Sequence, residues 1–158
     1  MATLDVTITE SVTLNGKDRG SENFLSITSV NEVLHRIVTC PANEDTTVAL
    51  FKSAVGGVTG GKGALDLGDV KYIRVTNLDS ANPINLSLQV ETGEDDSAAD
   101  SSATILVAAG RSYIMGTPED GIAVSDANAT IVTTLNDLES ILVDPGSNAI
   151  SVEVFIAS

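Results

Sequence analysis

From Ile150 to Ile156 every second position repeats a branched aliphatic residue: Ile150, Val152, Val154 and Ile156, interleaved with Ser151, Glu153 and Phe155. A repeat of two is the period of a β-strand with one face buried, and no helix can place those four side chains on one side. The pattern recurs in Ile84, Leu86, Leu88 and Val90 against Asn85, Ser87 and Gln89, and in Leu4, Val6 and Ile8, whose phase Val12 and Leu14 continue. NFLSITSV, VLHRIVTC, TTVALF, VKYIRVTN, ATILVA, SYIMG and ATIVTT complete about ten strand candidates separated by turn-rich stretches such as NGKDRGSEN. Short strands at such spacing predict an all-β fold, an antiparallel β-sandwich or jelly-roll-like domain spanning residues 1–158.

Three local expectations follow. VKYIRVTN and INLSLQVE, flanking Asn77, Asp79, Ser80, Asn82 and Pro83, read as a hairpin over Val70–Glu91, with Ile73 and Val75 joining Ile84 and its apolar partners in the core. NDLESILVDPG reads as one short helix near residues 136–143: Asn136 caps, Glu139 completes a capping box, Leu135, Leu138 and Leu142 follow helical spacing, and Asp144-Pro145-Gly146 stops it. The N-terminal stretch is either the first sandwich strand or an arm over residues 1–14 that reaches a neighbour.

Composition narrows the function. Val, Ile, Leu and Ala dominate the apolar residues, aromatics are 3% and Trp is absent, a mixture that suits pleated sheet. Eight basic against 22 acidic side chains give a net charge of −14. Phosphate backbones and anionic membranes are bound chiefly through Lys and Arg, so neither nucleic acid nor membrane is an expected partner. The N-terminus lacks the pattern of a signal peptide, and the single cysteine, Cys40, precludes an intrachain disulfide and suits a reducing cytoplasm.

The chemical candidates are few. GGVTGGKG, Gly56–Gly63, approaches a phosphate-binding loop, but Gly63 stands where a hydroxyl should meet Mg²⁺, and the following VKYIRVT reads as a strand where a helix is needed. His35 and Cys40 are single residues separated by an odd number of positions, so on one strand they face opposite ways and form no catalytic pair. Glu94, Asp95, Asp96 and Asp100 supply hard oxygens within one loop without the order of a helix-loop-helix calcium site, and read as a solvated acidic loop. Tyr72 and Tyr113 alone offer little for stacking on sugars. The expectation is a protein that is not an enzyme, with no catalytic, cofactor-binding or metal residues and no cofactor.

KYIRVTNLDSANPINLSLQV, ILVAAGRSYIM, EDGIAVSDANATIVTTLNDLESILV and ISVEVFIA together resemble small virion structural proteins of tailed bacteriophages, particularly phages of marine cyanobacteria. The phrases matched are a strand ending in Asn-x-Asp that leads to an apolar strand, Tyr72–Val90, and an Ala-Gly turn before an aromatic-aliphatic strand, Ala109–Met115. The resemblance implies a capsid decoration, or cement, protein: made in the host cytoplasm, resident on the capsid exterior of the virion, with the major capsid protein and itself, as a homotrimer, for partners. It also admits a tail, neck or head-fibre component, and a glycan-binding sandwich stands behind both.

Overall fold

The computed structural model describes residues 2–52, 64–91, 101–116, 123–124, 131 and 136–158. Their strands are β1 (Ala2–Glu10), β2 (Thr13–Leu14), β3 (Lys17–Asp18), β4 (Ser21–Val30), β5 (Val33–Cys40), β6 (Thr46–Lys52), β7 (Leu65–Asp66), β8 (Tyr72–Asn77), β9 (Ile84–Glu91), β10 (Ser101–Val107), β11 (Ser112–Gly116), β12 (Ala123–Val124), β13 (Asn136–Asp144) and β14 (Ile150–Ala157). The one helical element among the described residues is a 3₁₀ turn, Leu67–Asp69, whose first turn is capped by the Asp66 carboxylate accepting from the Gly68 N–H at 3.1 Å. The chain is all-β.

Two sheets carry the body. One runs β11-β8-β14-β5, the other β10-β9-β13-β6-β7, with β12 alongside β13. Among the described residues all pairings in these two sheets are antiparallel except β6 with β7. Val75, Ile150, Val152, Val154 and Ile156 from the first sheet and Val48, Phe51, Leu86, Ile141 and Val143 from the second belong to one buried cluster. The alternation seen in the sequence is therefore the division between this shared core and the two outer faces. The β5–β6, β8–β9, β10–β11 and β13–β14 connections all pass from one sheet to the other at the same end. Hydrogen bonds knit that end together: Asn43 N–H donates to Gly146 O at 2.7 Å and Asn77 N–H to Arg111 O at 2.9 Å.

The expected hairpin over Val70–Glu91 is not one. β8 and β9 have the predicted inward faces, yet they lie in opposite sheets, and the residues between them form an arch. Asn77, fully buried, builds it: its Nδ2 donates to Asn82 O at 2.9 Å and Val107 O at 3.3 Å, while its Oδ1 accepts from Asp79 N–H at 2.9 Å. Asp79 then accepts from Ala81 and Asn82 N–H at 2.7 and 2.6 Å. These side-chain-to-backbone turns carry the chain across the core instead of reversing it in plane. The backbone donors on Asp79 hold its carboxyl below the usual range.

The expected helix at 136–143 is also overturned. Those residues are β13, paired with β9 on one side and β6 on the other. Leu138 pairs with Val90 and Ser140 with Gln89, so Glu139 is an extra residue, a β-bulge. The bulge shifts the phase and places Leu138 and Ile141, three apart, on the same buried face. Of the leucines at helical spacing, Leu138 is buried, Leu142 lies on the outer face beside Ser87, and Leu135 is outside the described residues.

The N-terminal segment is not a strand of either main sheet. β1 pairs only with β4, in a two-stranded ribbon that β2 and β3 extend. Asn15 and Gly16, at φ 52° and 73°, make its two-residue tip, the left-handed conformation a tight hairpin needs. The ribbon thus spans Ala2–Val30 and pairs with no strand of either main sheet.

Candidate interaction surface

The outer face of the β11-β8-β14-β5 sheet and the ribbon lying on it form the most distinctive surface of the molecule. The strand register fixes what this face shows. Tyr72 pairs with Ala157 and Gly116, and Arg74 with Phe155 and Ile114, while His35 sits opposite Phe155 across β14. At its base the ribbon packs on this face: Ile27 and Val30, with Leu4, Val6 and Leu25 around them, bury Tyr72 and Ala157 and lean on Phe155. The base is tied down by the chain's last residues, since Asn31 and Glu32 N–H donate to Ser158 O at 2.6 and 3.0 Å. A bulge in β4 puts Ser29 at φ 59°, and its carbonyl accepts from Lys71 Nζ at 2.9 Å.

Farther out, the ribbon changes character. Val6, Ile8 and Leu25 line a cleft of about 270 Å³ with Tyr72, Ile114 and Gly116, so the ribbon passes over β8 and then over the edge strand β11. Ile8, at the cleft, is 44% exposed, and past it the apolar residues continue uncovered in Val12 and Leu14, 50% and 59% exposed. Phe24, paired with Thr7 and also bordering the cleft, is 66% exposed. Glu10 accepts a short hydrogen bond from the Ser21 hydroxyl, and Arg19 N–H donates to Val12 O at 2.9 Å, holding the two strands together where the ladder breaks. Gly20 is needed there, because a Cβ would sit 2.1 Å from Glu10 O.

The uncovered part of the sheet carries a charged network. Glu153 Oε1 lies 2.8 Å from His35 Nε2, and its Oε2 accepts from Arg74 Nη1 at 2.6 Å. Arg74 also donates to Thr76 Oγ1 at 2.6 Å and stands over the Phe155 ring, 5.9 Å from its centroid. The His35 hydrogen bond first, and Arg74 second, hold the Glu153 carboxyl below its usual range. A general acid or base works best with a pKa near the working pH. Glu153 is displaced the other way, and its two oxygens hold His35 and Arg74 beside the Phe155 ring.

The sequence candidates fall apart spatially. His35 is outward on β5, whereas Cys40 is buried at the other end of the same strand on the inward face, where burial raises its thiol pKa. Tyr72 is buried under the ribbon and Tyr113 is half-buried on the inward side of β11, so neither presents a ring for stacking on a sugar. The Gly56–Gly63 stretch and the acidic stretch Glu94–Asp100 lie outside the described residues. Among the described residues no three His, Cys, Asp or Glu side chains converge as a metal site, and no helix is long and apolar enough to cross a membrane. Sequence reading missed the ribbon as a unit. Its signal was present in Asn15-Gly16 between two alternating runs, the strongest short-range mark of a hairpin. No family model, curated protein or solved structure matches this chain.

Proposed function

We propose that this chain is a non-enzymatic structural protein of a tailed-phage virion, a decoration protein that binds the outer capsid surface as a homotrimer and stabilises the head. The observation that carries the reading is the ribbon, a two-stranded element anchored at one end and exposing Ile8, Val12 and Leu14 at the other. Such an element contributes binding area, and a contiguous exposed apolar stripe marks a surface used for association. The strand orders β5-β14-β8-β11 and β6-β13-β9-β10, with four connections crossing between sheets, are those we read as a jelly roll. That architecture recurs in viral capsid and lectin domains. The phrases that resemble phage virion proteins fall largely on β8, β9, β11, β13 and β14, the framework of this body. A net charge of −14 suits a position on the outside of a shell that holds DNA.

Quantitative mass spectrometry of purified phage particles encoding the chain tests the reading. Copy numbers comparable to those of the major capsid protein support decoration. A dozen copies or fewer would move it to the tail, neck or a head fibre, and absence from the particle would end the proposal.

A further inference from the structure

We infer that the overhanging half of the ribbon is a self-assembly element, which lies across the outer face of β5 in a second copy of the chain. The inference rests on the self-association in the reading above and names its contact; it does not depend on the capsid.

The ribbon crosses β14, β8 and β11 in turn and runs off the sheet at the β11 edge. A two-stranded hairpin is marginally stable alone in water. Its inner half, as far as Ile8, faces its own body, while Val12 and Leu14 extend the same apolar stripe past that cover. At the opposite edge of the same sheet, the outer face of β5 exposes Val33 by 51% and Ile37 by 64%. One molecule therefore ends in an apolar stripe at one edge and presents two exposed apolar side chains, one on each side of the outward His35, at the other. A neighbour placed edge to edge brings the stripe onto that face, so the ribbon continues from its own β11 to the neighbour's β5.

Charge favours the same occupant. The tip carries Lys17 and Arg19 against Asp18, so it is locally basic in a chain of net charge −14. β5 is preceded by Glu32, its outward His35 lies 2.8 Å from the Glu153 carboxylate, and its own Arg36 is occupied by the Val48 carbonyl. A basic tip thus meets an acidic surround. The two surfaces differ, which makes the contact heterologous, and a heterologous contact either closes into a ring or propagates as a filament. Closure after three copies gives the trimer.

Complementation tests this directly. Val12→Ser with Leu14→Ser removes the stripe, and Val33→Ser with Ile37→Ser removes its seat; all four positions are exposed, and circular dichroism and urea midpoints equal to wild type verify the fold. Native mass spectrometry of the unaltered chain should show three times the 16.3 kDa chain mass. Each double variant alone should fall to the monomer. An equimolar mixture should form one-to-one heterodimers, because the first variant keeps an intact β5 and the second an intact ribbon. The inference is overturned if the unaltered chain is monomeric, if the mixture stays monomeric, or if either variant assembles like wild type, as the β5 variant would when two ribbons pack on each other. Complementation by a chain absent from particles would leave the contact standing and remove the virion reading. Normal assembly of the variants by a chain abundant in particles would do the reverse.

Discussion

Replacing Asn77 with alanine should destabilise the protein far more than the loss of one polar side chain suggests. Asn77 has no solvent exposure, and its amide satisfies three backbone groups: Asn82 O, Val107 O and Asp79 N–H. Alanine leaves all three without that partner. A buried group so orphaned costs about 1–3 kcal/mol. Asp79 N–H and Asn82 O are only partly buried and can recover water, and the Val107 contact is long at 3.3 Å, so the low end applies to each. The sum is about 2–4 kcal/mol. With a urea m-value of about 2 kcal/mol/M the unfolding midpoint should drop by about 1–2 M at unchanged slope. Asn77→Asp keeps the acceptor for Asp79 N–H but turns a carboxylate oxygen toward two carbonyls, and should cost more than alanine. A midpoint for Asn77→Ala within about 0.5 kcal/mol of wild type, the range of ordinary surface changes, or an aspartate tolerated better than alanine, would refute the account of the arch.

Other consequences can be checked in the same assay. Leu86→Asp should unfold the domain and Asn85→Asp should be mild, because Leu86 is fully buried and Asn85 exposed on the other face of β9; equal effects would mean the register is wrong. Glu139 Oε2 is buried without a hydrogen-bond partner among the described residues, so Glu139→Gln should be neutral or stabilising; a loss above about 1 kcal/mol would show that the carboxylate has a structural use. Glu153 and Asp79 have carboxyl pKa values lowered in the folded chain, by His35 and Arg74 and by backbone donors respectively. The unfolded chain then takes up protons first, so their stabilisation is present above the ordinary carboxylate range of about 4 and is lost as pH falls through the folded values. Glu153→Gln should flatten the acid limb of stability against pH, and an unchanged limb would count against the network.

The individual strands were legible in the sequence and their partners were not. Alternation in Ile84–Val90 and Ile150–Ile156 states which side chains are buried, and the structure buries those. The same alternation is produced whether a strand turns back on its neighbour or crosses to the opposite sheet, so Val70–Glu91 reads as a hairpin although it is an arch. What decides between them is Asn77, whose buried amide bonds groups distant in sequence such as Val107 O. In β13 the leucines at 135, 138 and 142 and a capping box at Asn136 and Glu139 read as a helix, and only pairing on both sides by β6 and β9 reveals the strand. The ribbon escaped for a related reason. Its stripe from Leu4 to Leu14 has the pattern of a core strand, and periodicity records that one face is apolar without recording what covers it.

Thermal release of DNA from phage particles tests the proposed role most directly. Particles assembled without this chain should expose their DNA to an intercalating dye at a lower temperature than complete particles, and adding back the purified full-length chain should restore the higher temperature. Equal release temperatures with and without the chain, or failure of the added chain to bind the shell, would contradict a stabilising role on the capsid exterior.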